Sequence, residues 1–162
     1  MGNLVGVGFL LFALKDGQVK LFVVEELTSK PAILKEAGMV SFPLETYEER
    51  DGSHFQTVVR LIDEEMGIPR EQVTIYDIFP RAFQGIHGRE DIIVFYGYGI
   101  FTGDADENFC PNDPEVSFAG WKTITDLLAC HKQRVEVGPI LSHFVSSGAY
   151  GTLLGRFSPV AA

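Results

Sequence analysis

Apolar and polar residues alternate along this chain in blocks of two different periods. Residues 5–14 and 19–27 are rich in β-branched and aromatic side chains and read as strands. Lys15-Asp16-Gly17-Gln18 joins them, and its Asp-Gly step supplies the positive φ angles of a tight hairpin. Residues 28–51, with Pro31, Gly38 and Pro43, are irregular apart from a short strand predicted over 39–42. The period then changes. Phe55, Val58, Val59, Ile62 and Met66 form one apolar stripe and predict a helix over 53–66. Ser53 and Gln56 make a capping box at its start, and Gly67 is its natural stop. Strands follow over 73–83, 92–101 and 115–121, then helices over 123–131 and 139–147. Such irregular interleaving predicts a mixed sheet covered by helices.

Composition narrows the class. A chain of 162 residues, 46% hydrophobic and 22% charged, suffices for one globular domain, expected over 1–162. Thirteen basic against twenty-two acidic residues leave a net charge of −9. That field repels a nucleic acid duplex, but it admits a small phosphorylated ligand bridged by a divalent cation. Cys110 and Cys130 belong to no CxxC pair, so they are read as packing residues of a reduced, cytoplasmic protein. The apolar start lacks a basic leader and a small-residue cleavage site, and no run reaches transmembrane length. A soluble protein without membrane attachment is expected.

The chemistry concentrates in Arg60-Leu61-Ile62-Asp63-Glu64-Glu65-Met66-Gly67-Ile68. On a regular helix Glu64 and Glu65 lie together off the apolar stripe, with Arg60 one turn before Glu64. Adjacent carboxylates there are often no more than a solvated face. They repel unless a cation, usually Mg²⁺, lies between them.

This segment resembles the second half of a Nudix box, G-x5-E-x7-R-E-U-x-E-E-x-G-U with U aliphatic. Arg60, Ile62, Glu64, Glu65, Gly67 and Ile68 match, six of the nine fixed positions. Phe42-Pro43 is similar to the Phe-Pro before the box, and 115–121 with its Leu-rich helix to the family's closing strand and helix. Three departures stand out. Leu44-Glu45 replaces the usual Gly-Gly, Thr46 and Gly52 fall on the first Gly and Glu, and Leu61 replaces the Glu after the box Arg. An extra loop residue would shift that alignment by one, with Asp51 adjacent. Leu61 is expected on the carboxylate flank, packed against the 28–51 loop.

The resemblance implies a Nudix-type α/β/α sandwich, the box helix on one side of a mixed sheet and the last helix on the other. It implies Mg²⁺- or Mn²⁺-dependent hydrolysis of a diphosphate linkage in a nucleoside diphosphate derivative, weakened by the missing carboxylate. By the same resemblance Glu64 and Glu65 are metal ligands, and Arg60 is an orienting residue in the catalytic set. Glu45 and His54 are the candidate substrate contacts. Glu45, Asp51 and Asp63 are replacement carboxylates, each also readable as a solvated residue. Glu90, Asp91 and Glu115 are more distant acids. The alternative is a Nudix-fold module that binds a nucleotide or a protein without turnover. Monomer and homodimer both stay open. The acids from Asp104 to Glu115 have EF-hand spacing, but Phe109 stands where the loop demands Gly.

Overall fold

The structure is a computed structural model that describes residues 3–157, so the unit expected over 1–162 is seen without its first two and last five residues. Eight strands form one mixed sheet. They are β1 (Leu4–Lys15), β2 (Gln18–Glu26), β3 (Val40–Ser41), β4 (Leu44–Thr46), β5 (Val73–Ile78), β6 (Phe83–Gln84), β7 (Ile92–Phe101) and β8 (Val116–Lys122). Four α-helices among the described residues accompany them: α1 (His54–Leu61), α2 (Ile124–Leu128), α3 (Val137–Ser146) and α4 (Ala149–Phe157).

The long strand β1 organises the sheet. One edge pairs in parallel with β7 from Leu4↔Ile92 to Phe12↔Ile100. The other edge is divided: Gly6–Gly8 pair with β4, and Phe12–Lys15 pair with β2 across the Asp16-Gly17 hairpin. Because this edge changes partner midway, β2 and β4 diverge and leave a cleft beside the first half of β1. Both faces of β1 are covered. Val7, Phe9, Leu11 and Ala13 join Val58, Leu61, Ile62 and Met66 in one core, while Leu10 and Phe12 join Ile140, Leu141 and Phe144 in the other. The apolar run lacks a period of two for that reason. The architecture is the α/β/α sandwich expected.

Several local expectations need correction. The strand over 73–83 is two strands, interrupted at Phe79-Pro80, where proline cannot donate to a ladder. The helix over 53–66 is α-helical only to Leu61; Ile62–Met66 form a π turn. Phe55 is 41% exposed, so the stripe starts at Val58. Leu61 is fully buried in the core with β1 and β8 residues rather than on an outer flank, and Tyr47 of the 28–51 loop packs against that same core. A last helix, α4, was unforeseen, because Gly151 and Gly155 weaken its apolar pattern and only Leu153 is buried.

Candidate functional site

The cleft beside β1 has empty space of about 600 Å³ counted out to its open mouth. Its apolar floor comes from β1 and β7, through Leu4, Ile92 and Val94, and its walls are charged. Among the charged lining residues are Glu45, Glu65 and Asp113, and also Lys35, His87, Arg134 and Glu136.

Arg60 ties acidic residues together. Its Nε and Nη2 donate to Asp51 Oδ1 and Oδ2 at 3.0 and 2.9 Å, a two-pronged pair whose geometry suits a guanidinium. Nη2 also reaches the Thr46 carbonyl at 2.5 Å, and Nη1 lies 3.3 Å from both Glu45 Oε1 and Glu64 Oε2. One side chain thus joins β4, the turn Glu49–Asp51 and the end of α1. Asp51 accepts from Thr57 Oγ1 and the Glu48 amide as well, both at 3.0 Å. The Arg60 guanidinium beside it holds the Asp51 carboxyl well below the usual range. Asp51 is therefore buried and fully engaged, where a solvated loop residue was the plainer expectation. Gly52 follows at φ +76 and closes the turn in a conformation natural to glycine.

The carboxylates come in two pairs. Glu45 meets Glu64, and burial together with that shared hydrogen bond raises the Glu45 carboxyl to about 7 despite Arg60. Its Oε2 is buried without a hydrogen-bond partner. Glu65 meets Asp113, and burial followed by that contact pushes Glu65 up to about 9. Glu65 was expected on an outer flank. It is buried instead, because it stands one turn after the fully buried Leu61 and shares its inner face. Glu64 stays partly exposed, as its position on the helix required.

Asp113 escaped the sequence reading, which weighed its loop only as a calcium-like decoy. The loop is clipped to the end of the box helix: the Asp113 amide donates to Glu64 O, and Asn112 Nδ2 to Asp63 O, both at 2.8 Å. Asp113 Oδ1 accepts from the Glu115 amide at 2.8 Å. Glu115 itself reaches the cleft rim and pairs with Lys30 at 3.2 Å. Asp63 is exposed. His54 lies outside the cleft lining, its ring centroid 4.3 Å from that of Phe95 and 5.4 Å from that of Tyr47. Asp91 pairs with Arg89, away from the cleft.

The donor chemistry suits a hard divalent cation: carboxylate oxygens, one of them buried and unpartnered, crowded until they bind protons too tightly. Among the described residues, however, no three His, Cys, Asp or Glu side chains converge on one point. The two pairs would have to draw together around an ion.

Comparison with known proteins places this arrangement. The NUDIX domain family model matches residues 4–144. No curated protein matches the chain. Among solved structures, the NUDIX domain of Shewanella oneidensis NrtR complexed with ADP ribose is similar over 86% of this chain and 88% of its own, at 17% identity and a TM-score of 0.63. The C. elegans Ap4A hydrolase is similar over 90% of this chain and 98% of its own, at 16% identity and a TM-score of 0.61. A bifunctional NMN adenylyltransferase/ADP ribose pyrophosphatase from Francisella tularensis, complexed with AMP and Mn ion, matches 90% of this chain and 42% of its own, at 14% identity and a TM-score of 0.58.

Proposed function

This chain belongs to the Nudix family, and on that footing we propose that it hydrolyses a diphosphate linkage in a nucleoside diphosphate derivative, with Mg²⁺ or Mn²⁺ as cofactor. The observation that carries the reading is the shared cleft, whose lining brings Glu45, Glu65 and Asp113 together with Lys35, His87, Arg134 and Glu136. One similar structure is a complex with ADP ribose, and another, of which this chain matches 42%, is a complex with AMP and Mn ion.

Glu64 and Glu65 would hold the ion, which when bound would neutralise phosphate charge and acidify water. Arg60 keeps Glu45 and Glu64 in place through Nη1. Water attacks one phosphorus, the bond from that phosphorus to the bridging oxygen breaks, and the leaving phosphate departs with the bridging oxygen. The water's proton passes to a carboxylate. Glu45, raised to about 7, is matched to that task near neutral pH. His54, off the cleft lining, is retained as a contact to a projecting part of the substrate. The free cysteines, Cys110 and Cys130, suit a reducing cytoplasm, and among the described residues no helix is long and apolar enough to cross a membrane.

A second reading, binding without turnover, draws on Leu61, which buries a leucine where the resemblance expects an acid. A panel of nucleoside diphosphate derivatives with Mg²⁺ or Mn²⁺ separates the two. Turnover that falls a hundred-fold or more in Glu45→Gln supports hydrolysis. Tight binding without product, at high protein concentration, would establish the second reading instead.

A further inference from the structure

In the wall of the same cleft, five ionisable side chains from four separate chain segments form a buried network. Arg134 Nη1 donates to Glu26 Oε1 at 3.0 Å and Nη2 to Glu136 Oε2 at 2.8 Å. Lys35 Nζ lies 3.4 Å from Glu26 Oε2, and His87 Nε2 lies 3.3 Å from Glu136 Oε2. Every one of these side chains is at least nine-tenths buried. Position follows from the backbone: residues 132–134 hydrogen-bond to Val40, and Glu136 stands at the start of α3.

The network leaves hydrogen-bonding capacity unspent. Glu136 Oε1, Arg134 Nε and His87 Nδ1 are buried and have no partner. Buried polar atoms are costly to leave unsatisfied, so such atoms in a cleft wall mark a place where a ligand completes the set. Their chemistry defines the ligand. Lys35 and Arg134 are balanced by Glu26 and Glu136, so a phosphoryl group would meet as much repulsion as attraction. A neutral group that donates to Glu136 Oε1 and accepts from Arg134 Nε fits. The neighbouring floor of Leu4, Ile92 and Val94 favours a flat ring over a sugar, whose hydroxyls would lie against hydrocarbon.

We infer that the Glu26–Arg134–Glu136–His87 network is the receptor for the amino-bearing edge of a nucleobase, and so sets which nucleotide this protein accepts. An exocyclic amino group donates to the free Glu136 oxygen, while the adjacent ring nitrogen accepts from Arg134 or His87. Uracil presents a carbonyl oxygen where the amino group is needed, and two acceptors would then face a carboxylate. The inference rests on the nucleotide reading of the cleft, but it requires no turnover.

Its test uses α,β-methylene diphosphates of adenosine, guanosine, cytidine and uridine, and of ribose without a base, titrated calorimetrically with Mg²⁺. The methylene bridge prevents cleavage. At least one amino-bearing analogue should bind ten-fold or more tightly than the uridine and base-free compounds. Glu136→Gln should reduce that preference below three-fold while changing base-free affinity less than two-fold. If Glu136→Gln does not fold, as judged by thermal melting, His87→Phe keeps the ring and removes its nitrogens, and it too should reduce the preference. Equal affinity for all five compounds, equal loss for all five in the folded variants, or no binding at all would overturn the inference. Base-selective binding with no hydrolysis of the parent diphosphates would overturn the activity and leave this receptor standing.

Discussion

At the scale of single residues, Leu61 and Asp51 show how position misleads when only spacing is known. Leu61 stands where a family carboxylate is expected, yet it is fully buried against the sheet. Leu61→Glu should therefore lower stability at pH 8 by roughly 3 kcal/mol or more, with less loss at pH 5, where the new acid can be neutral. Leu61→Met should cost under about 1.5 kcal/mol. Urea unfolding of both variants checks this, and a Leu61→Glu protein as stable as the wild type would place that side chain in the cleft rather than the core. Asp51 was within reach of the sequence, since it adjoins the expected box acid. Its pairing was not, because nothing local reveals that Gly52 must take a positive φ. The buried network was out of reach altogether: Glu26, His87 and Arg134 are far apart in sequence, and each alone reads as a surface charge.

At the scale of elements, α1 and its π turn carry Arg60, Glu64 and Glu65. Apolar spacing, the Ser53 cap and the Gly67 stop were all legible, and Ser53 Oγ does accept from the Gln56 amide at 3.1 Å. The extra residue in the turn was not legible, because apolar periodicity is too coarse to show one added position near a helix end. Gly67 then has two duties. It lies at φ +63, and a Cβ there would stand 2.2 Å from Cys110 O in the loop that carries Asp113. Gly52, at φ +76, has nothing within 4 Å of the same added atom. Gly52→Ala should thus cost only about 1 kcal/mol. Gly67→Ala should cost roughly 2–3 kcal/mol and also expose the 104–115 loop to limited proteolysis. Equal costs, with the loop still protected, would show that the loop yields freely to the methyl group.

At the scale of the whole molecule, the site leaves its mark on the pH dependence of stability. Glu45 and Glu65 hold protons more tightly folded than unfolded, so their contribution is complete below about 4.5 and is lost as pH rises through about 7 and about 9. Asp51 acts in the opposite sense, stabilising above 3.8 and losing its effect as pH falls below. The melting temperature without metal should peak near pH 5 and fall by roughly 5 °C or more by pH 9. Millimolar Mg²⁺ should restore more of it at pH 8.5 than at pH 5.5, since only ionised carboxylates bind the ion. Glu65→Gln should flatten the metal-free slope; calorimetric scans that stay flat in the wild type would assign these protons elsewhere. The layered architecture itself was readable from the change of period along the chain, whereas which strands adjoin was not, since pairing partners lie far apart. The parallel pairing of β1 with β7 has a consequence for biosynthesis. Strand β1 finds its longest neighbour only when residues 92–101 arrive, so during synthesis the β1–β2 hairpin of dense hydrocarbon waits with one edge open. The ribosome must deliver more than sixty further residues after β2 before that edge can close, which makes the nascent hairpin a natural client for a chaperone and makes slow collapse, rather than weak native packing, the hazard in its production.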